Sequence, residues 1–251
     1  MNNFKNFSMD LLFPKFCLGC KKEGTYLCDD CRGLLDINEF NHCLCDRPTT
    51  LSSNSKSGKC SKCQNKALSG LYFALPYKES HITKILIHQF KYKPYLKDLA
   101  ETLSSILIEH FIKTGANTNE IWENSVLVPV PIHIKKFRER GYNQSEELAE
   151  ELSKVLKIPV ISDYLIKTKS TESQMKLSKI EREKNLESAF CVRHSREGGN
   201  PDLARSDLTK FSKIFLVDDV YTTGSTMAEC AKTLKKSGIK NIWGIALARE
   251  G

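Results

Sequence analysis

One short run limits the architecture of this chain more than any other: Lys213 to Thr226, read as K-I-F-L-V-D-D-V-Y-T-T-G-S-T. Ile214, Phe215, Leu216 and Val217 form a continuous β-branched and aromatic stretch. A strand with one wet face alternates apolar and polar residues, whereas a strand covered by helices on both faces does not. The run therefore predicts an interior strand of a parallel sheet in an α/β chain. Asp218 and Asp219 follow at its carboxyl end, then Val220 and Tyr221, then Thr222, Thr223, Gly224, Ser225 and Thr226. Helical spacing begins after these, with Met227, Cys230, Ala231 and Leu234. A loop that opens onto a helix N-terminus turns backbone N–H groups and the positive end of the helix dipole toward an anion. Its hydroxyls add donors, and the two carboxylates beside it can accept hydrogen bonds from sugar hydroxyls or hold a hard cation such as Mg2+. Singly, each feature is an ordinary helix cap or polar turn. Their order is what gives them meaning.

The same run resembles the signature of the type I phosphoribosyltransferases, which bind 5-phosphoribosyl-1-pyrophosphate (PRPP) with Mg2+. The resemblance implies that family's fold, a parallel sheet flanked by helices. It places Asp218 and Asp219 at the ribose hydroxyls, and Thr222, Thr223, Gly224, Ser225 and Thr226 around the 5-phosphate.

The amino-terminal quarter has a different character. Eight of the ten cysteines precede residue 64. The first residues, MNNFKNFSMDLLFPKF, show no apolar segment followed by a small-residue cleavage site. The expectation is a cytoplasmic chain whose clustered cysteines bind metal rather than pair as disulfides. Cys17-x2-Cys20 and Cys28-x2-Cys31 are two knuckles a short loop apart, which suits tetrahedral Zn2+. In the second set Cys60-x2-Cys63 is a regular knuckle, but Cys43 and Cys45 are separated by one residue. A His42-x2-Cys45 pair restores knuckle spacing, so this set is read as His42, Cys45, Cys60 and Cys63, with a four-thiolate set through Cys43 as the other arrangement. One or two zinc ions of structural type follow, because four protein ligands leave no open coordination position. Residues 1–67 are thus expected to form a zinc-ribbon-like module and residues 68–251 the larger domain.

Along that domain, Leu71 to Tyr77 and Val126 to Pro131 read as strands, and His81–Gln89, Leu96–Ile112, Ser145–Leu156 and Ala228–Ser237 as helices. Asn241 to Ala248 closes the sheet. Lys135, Lys136, Arg138 and Arg140 fall in an expected loop, Ile132 to Gln144, on the sheet edge that also carries the acidic pair. Positive charge there suits a pyrophosphate. Phe90 to Tyr95 interleaves basic and aromatic residues, a pattern that can stack bases and contact phosphates. The net charge of +8 permits a polyanionic partner without requiring one.

V-P-V-P at 128–131 together with R-G-Y-N-Q at 140–144 closely resembles the ComF family, phosphoribosyltransferase-like proteins linked to DNA uptake in natural competence. The zinc knuckles match that family too, as does the stretch 167–190 with Thr171, Gln174, Leu177, Arg182, Asn185 and Phe190. In related transferases this stretch forms a flap over the ligand. Lys167 and Lys169 stand where arginines are expected. Residues 193–212 are longer than the family pattern and read as an inserted surface loop. The resemblance implies PRPP as ligand, with single-stranded DNA and other DNA-import proteins as partners. Arg138 and Arg140, or the flap, would face the pyrophosphate. Two functions follow: a competence protein handling imported DNA, or an active phosphoribosyltransferase of nucleotide metabolism. No residue in the sequence marks an acceptor base or amine for the second.

Overall fold

The computed structural model describes residues 14–51, 58–169, 186, 188–193 and 208–250. The expected flap positions Thr171, Gln174, Leu177, Arg182 and Asn185, and most of the expected insertion at 193–212, lie outside them. The described cysteine-rich segment holds a short α-helical turn, α1 (Asp29–Arg32), and a 3-10 turn at Ser61–Cys63. The larger domain then runs β1 (Gly70–Pro76), α2 (His81–Lys91), α3 (Leu99–Lys113), α4 (Asn119–Trp122), β2 (Ser125–Pro129), α5 (Ile134–Arg140) and α6 (Gln144–Leu156). It continues with β3 (Leu165–Lys167), β4 (Phe190–Val192), β5 (Lys213–Tyr221), α7 (Ser225–Lys236) and β6 (Ile242–Arg249). Strands β3 and β4 pair antiparallel. The main sheet has the order β1-β6-β5-β2 and is parallel throughout.

The continuous apolar run of β5 is buried on both faces, as expected. Phe215 and Val217 join a core with Phe90, Leu103, Phe111 and Leu148 from the helices α2, α3 and α6. Ile214 and Leu216 point the other way, into a second core with Met227, Cys230 and Leu234 of α7. The two halves of the cysteine-rich segment divide between these cores. Cys17, Cys28 and Cys31 belong to the first, and Cys43, Leu44 and Cys63 to the second.

Two local readings are corrected. The stretch expected as a loop after β2 contains α5. His133 caps it by accepting from the Lys135 N–H, and Gly141 ends it at φ +81°, a left-handed conformation that suits glycine. No residue of α5 is buried, so it lacks the apolar periodicity by which a helix shows in a sequence. The acidic pair, expected just past a strand, is inside one: β5 continues to Tyr221 because β6 pairs with it up to Tyr221↔Arg249. On the other side β2 stops at Pro129↔Val217. From Asp218 onward β5 is therefore open on its β2 side, and this opening positions the site. Among the described residues no helix is long and apolar enough to cross a membrane.

Candidate ligand site and metal centres

Three elements converge on the opening beside β5. Lys91, in the last turn of α2, places Nζ 2.9 Å from Asp219 Oδ1. Ser145, in the first turn of α6, donates its hydroxyl to Asp218 Oδ1 at 3.0 Å, and the Asp219 N–H donates to the same oxygen at 2.9 Å. Asp219 is 4% exposed. Burial, followed by the charge of Asp219, raises the Asp218 carboxyl to about 7, although Lys91, the Asp219 N–H and Ser145 all pull it down. Burial works against the Lys91 ammonium, but Asp219 and Asp218 outweigh it and raise its pKa. Among the described residues the two carboxyls share one close counter-charge, Lys91, an arrangement ready to exchange a proton for a cation or a hydroxyl donor.

Further cations surround the carboxylates. Desolvation, then Arg140 and Lys91, lower the pKa of Lys136. Desolvation, then Lys136, lower that of Lys167. Lys136 and Lys167 are thus held less firmly charged, first by desolvation and then by neighbouring cations, and an anion beside them would favour their charged forms. Arg140 donates to Gln144 Oε1 at 2.8 Å and lies over the Tyr92 ring. Arg138 is exposed on α5.

Past Tyr221 the chain turns through Thr222 and Thr223 to Gly224, the N-cap of α7 at φ +74°. A side chain at Gly224 would collide with the Tyr221 ring, 2.1 Å from its hydroxyl oxygen. Thr223 Oγ1 and Ser225 Oγ are 2.7 Å apart, and the Ser225 N–H points at Thr223 Oγ1. Thr222 and Thr226 are half-buried beside them. The structure therefore brings Asp218, Asp219 and the 222–226 loop onto adjoining segments, with Lys91 and Ser145 added. Neither addition carries its own signature: Lys91 is one lysine among several in a basic stretch, and Ser145 reads as an ordinary first-turn residue. The helix C-terminus preceding Lys93-Pro94 was the available sign that Lys91 ends an element near this edge. A cavity of about 730 Å3 elsewhere, between the cysteine-rich segment and β1, is lined by mixed charges including Arg32, Glu39, Glu79 and Lys113 and by neither aspartate.

The cysteines form two groups of four, Cys17, Cys20, Cys28, Cys31 and Cys43, Cys45, Cys60, Cys63, with the four sulfurs of each within 4.8 Å of one another. Tetrahedral thiolates about 2.3 Å from zinc lie about 3.8 Å apart. The Cys20–Cys28, Cys45–Cys60 and Cys60–Cys63 separations of 3.5, 3.4 and 3.7 Å are close to that value. Backbone N–H groups of Cys28, Thr49 and Cys60 point at sulfurs of Cys17, Cys43 and Cys63, as suits thiolates. Burial opposes ionisation of Cys17 and Cys43, but neighbouring N–H and hydroxyl donors bring both down to about 6. Cys31 and Cys45, each hydrogen-bonded to a neighbouring sulfur, rise to about 12. Both groups can hold structural zinc.

Cys43, not His42, completes the second group. His42 forms an isolated antiparallel bridge with Thr50, and the chain bends from Leu44 onward. The Cys43 sulfur gathers with those of Cys45, Cys60 and Cys63, while the His42 ring packs against Phe73 with Nδ1 at 3.1 Å from the Phe40 carbonyl. Knuckle spacing suggested the histidine; the clustering of the sulfurs selects the cysteine.

No family model matches the chain. Competence protein F of Haemophilus influenzae is 34% identical over 167 residues, 65% of this chain and 67% of that protein. This chain belongs to the ComF family. Other relatives agree. DNA utilization protein YhgH of Escherichia coli O157:H7 is 30% identical over 165 residues, 66% of each chain. Competence protein ComFC of Streptococcus pneumoniae is 25% identical over 232 residues, 91% of this chain and 90% of that one.

Proposed function

We propose that this ComF-family chain binds PRPP with Mg2+ in the opening beside β5 and serves the handling of imported single-stranded DNA. The observation that carries the ligand reading is the acidic pair, half-buried Asp218 and buried Asp219, set directly before a hydroxyl and glycine loop at the N-cap of α7. Asp218 and Asp219 would accept hydrogen bonds from the ribose hydroxyls. The amides and hydroxyls of residues 222–226 would hold the 5-phosphate. Lys91, Lys136, Arg140 and Lys167 would balance the pyrophosphate, with Arg138 at the outer edge. Mg2+ would supply further charge neutralisation to the leaving group in any transfer reaction. Displacement of pyrophosphate from C1 needs positioning and charge balance more than a covalent protein group, and these residues offer both.

The DNA reading draws on the relatives' names, Competence protein F and DNA utilization protein YhgH. The exposed face of α5 agrees with it, since Lys135, Arg138, Ile134 and Phe137 are all solvent-facing and Tyr92 is exposed close to Arg140. Cations interleaved with aromatic rings suit a single strand. Calorimetric titration with PRPP and Mg2+ tests the ligand reading. Saturable binding that disappears in the double variant Asp218→Asn, Asp219→Asn is expected, and absence of binding by the wild type refutes it.

A further inference from the structure

Arg249, the last residue of β6, is 3% exposed and its guanidinium reaches in two directions. Nη1 donates to the Cys43 carbonyl at 2.8 Å and Nη2 to the Cys45 carbonyl. Those carbonyls belong to the turn that carries two thiols of the second cysteine group. On its other side the guanidinium lies 5.4 Å from the ring centroids of both Tyr221 and Phe73. The Tyr221 ring occupies the space over Gly224, and the Tyr221 carbonyl accepts from the Glu250 N–H at 2.9 Å. The cysteine turn, Arg249, Tyr221 and Gly224 are therefore one unbroken line of contacts, ending at the N-cap of α7 in the middle of the hydroxyl loop. A cavity of about 290 Å3 lies along the same boundary, lined by Lys66 and Ala67 on one side and Tyr221, Thr223 and Ser225 on the other. The first cysteine group is anchored elsewhere: Arg32, next to Cys31, binds Ser105 and Glu109 of α3.

From this geometry we infer that Arg249 is a positioning residue coupling metal occupancy at Cys43, Cys45, Cys60 and Cys63 to the conformation of the 222–226 loop. A metal ion fixes the Cys43–Cys45 turn and hence its two carbonyls. Nε of Arg249 already lacks a hydrogen-bond partner among the described residues, and a buried guanidinium cannot leave Nη1 and Nη2 unpaired as well without further cost, so it follows those carbonyls, and the ring held against it follows in turn. Tyr221 has no slack to absorb the movement because Gly224 is packed directly beneath it. Anion affinity at the loop then depends on the second group and not on the first. That last clause rests on the PRPP reading; the coupling itself does not.

Hydrogen exchange on the full-length protein tests the coupling without any ligand. Cys60→Ser, which disables the second group, and Arg249→Lys, which keeps the charge but loses the two-pronged fork, are expected to speed exchange of the 222–226 amides. Cys20→Ser, which disables the first group, leaves them as in the wild type. A ligand arm uses reciprocity: if metal at the second group favours anion binding, the anion must tighten the metal by the same factor. In Cys20→Ser protein loaded with Co2+, ribose 5-phosphate is expected to raise the metal affinity, read at equilibrium against a competing chelator, about tenfold, and less than twofold once Arg249→Lys is added. A structural residue without coupling would not give a ligand-dependent metal affinity. Should Arg249→Lys fail to fold, Tyr221→Leu breaks the same line one contact later and must speed the same amides. Unchanged exchange at 222–226 in a folded Arg249→Lys or Tyr221→Leu protein that retains its second metal overturns the inference. Loop exchange that responds as expected, in a protein that does not bind ribose 5-phosphate, upholds the coupling and removes the PRPP reading.

Discussion

Replacing Lys91 by methionine keeps most of the side chain's volume and removes the counter-charge 2.9 Å from Asp219. The Lys91–Asp219 contact is 2.9 Å, with the two side chains 27% and 6% exposed. At an effective dielectric constant of about 20, unit charges about 4 Å apart attract by about 4 kcal/mol. Removing one partner of a buried pair costs about 3–5 kcal/mol, because the other is left uncompensated. Lys91 is partly solvated, so water screens part of the interaction, and a loss of about 2–3 kcal/mol in unfolding free energy is expected at pH 8. The pH dependence has a definite sign. A carboxyl whose folded pKa lies above its unfolded value is destabilising when ionised, so its penalty is complete above the folded pKa and fades as the pH falls below it. Asp218 already sits at about 7 although Lys91 pulls it down, and removal of Lys91 moves it further up. One proton taken up between pH 8 and pH 6 gives the variant at most about 2.7 kcal/mol, but wild-type Asp218, already at about 7, gains about half of that over the same range, so the loss should shrink by about 1.3 kcal/mol, to about 1–2 kcal/mol at pH 6. Urea unfolding of wild type and Lys91→Met at the two pH values measures this directly. Addition of Asp219→Asn should restore most of the stability at pH 8. Equal losses at pH 8 and pH 6 would refute the account of the pair as electrostatically coupled.

Two other expectations concern metal and nucleic acid. Chelator release assays should find two zinc ions per chain, one in Cys43→Ser, and two in His42→Ala; a single ion in His42→Ala would return the imidazole to the ligand set. Reversing the charges of Lys135, Lys136 and Arg138 should weaken single-stranded DNA binding and lower its dependence on salt, since each lost phosphate contact reduces the slope by about 0.7. An unchanged slope would move any DNA surface off α5.

What could be read from the sequence was what repeats or clusters. Ile214 to Val217 announced an interior strand because burial on two faces leaves no polar residue in the run. The C-x2-C knuckles announced metal sites because short loops converge thiols whatever surrounds them. The helix α5 stayed hidden because nothing in it is buried, so no period was written into it. Lys91 and Ser145 stayed hidden for another reason. Their roles depend on α2 ending and α6 beginning at the same sheet edge, 128 and 73 residues away in the chain from the aspartates they meet. The choice between His42 and Cys43 depended on where the bend after Cys43 carries each side chain, which spacing alone does not record.

The stretch between the two cysteine groups has a consequence for self-association. Strand β1 forms one border of the sheet, and an uncovered border can template pairing with another chain. Asn38, between Cys31 and Cys43, covers it: its N–H donates to the Ala74 carbonyl at 2.8 Å and its amide to the Phe73 carbonyl at 3.2 Å. Its own carbonyl accepts from His110 Nδ1 at 2.7 Å, a buried imidazole kept neutral because burial lowers its pKa to about 4. The segment is a short strap knotted at both ends by thiols. Oxidation or metal loss at either knot is expected to loosen the strap and bare the Ala74 carbonyl at the sheet border. Thiol damage at the first group is then expected to show first as clumping of the protein, whereas damage at the second also reaches the 222–226 loop.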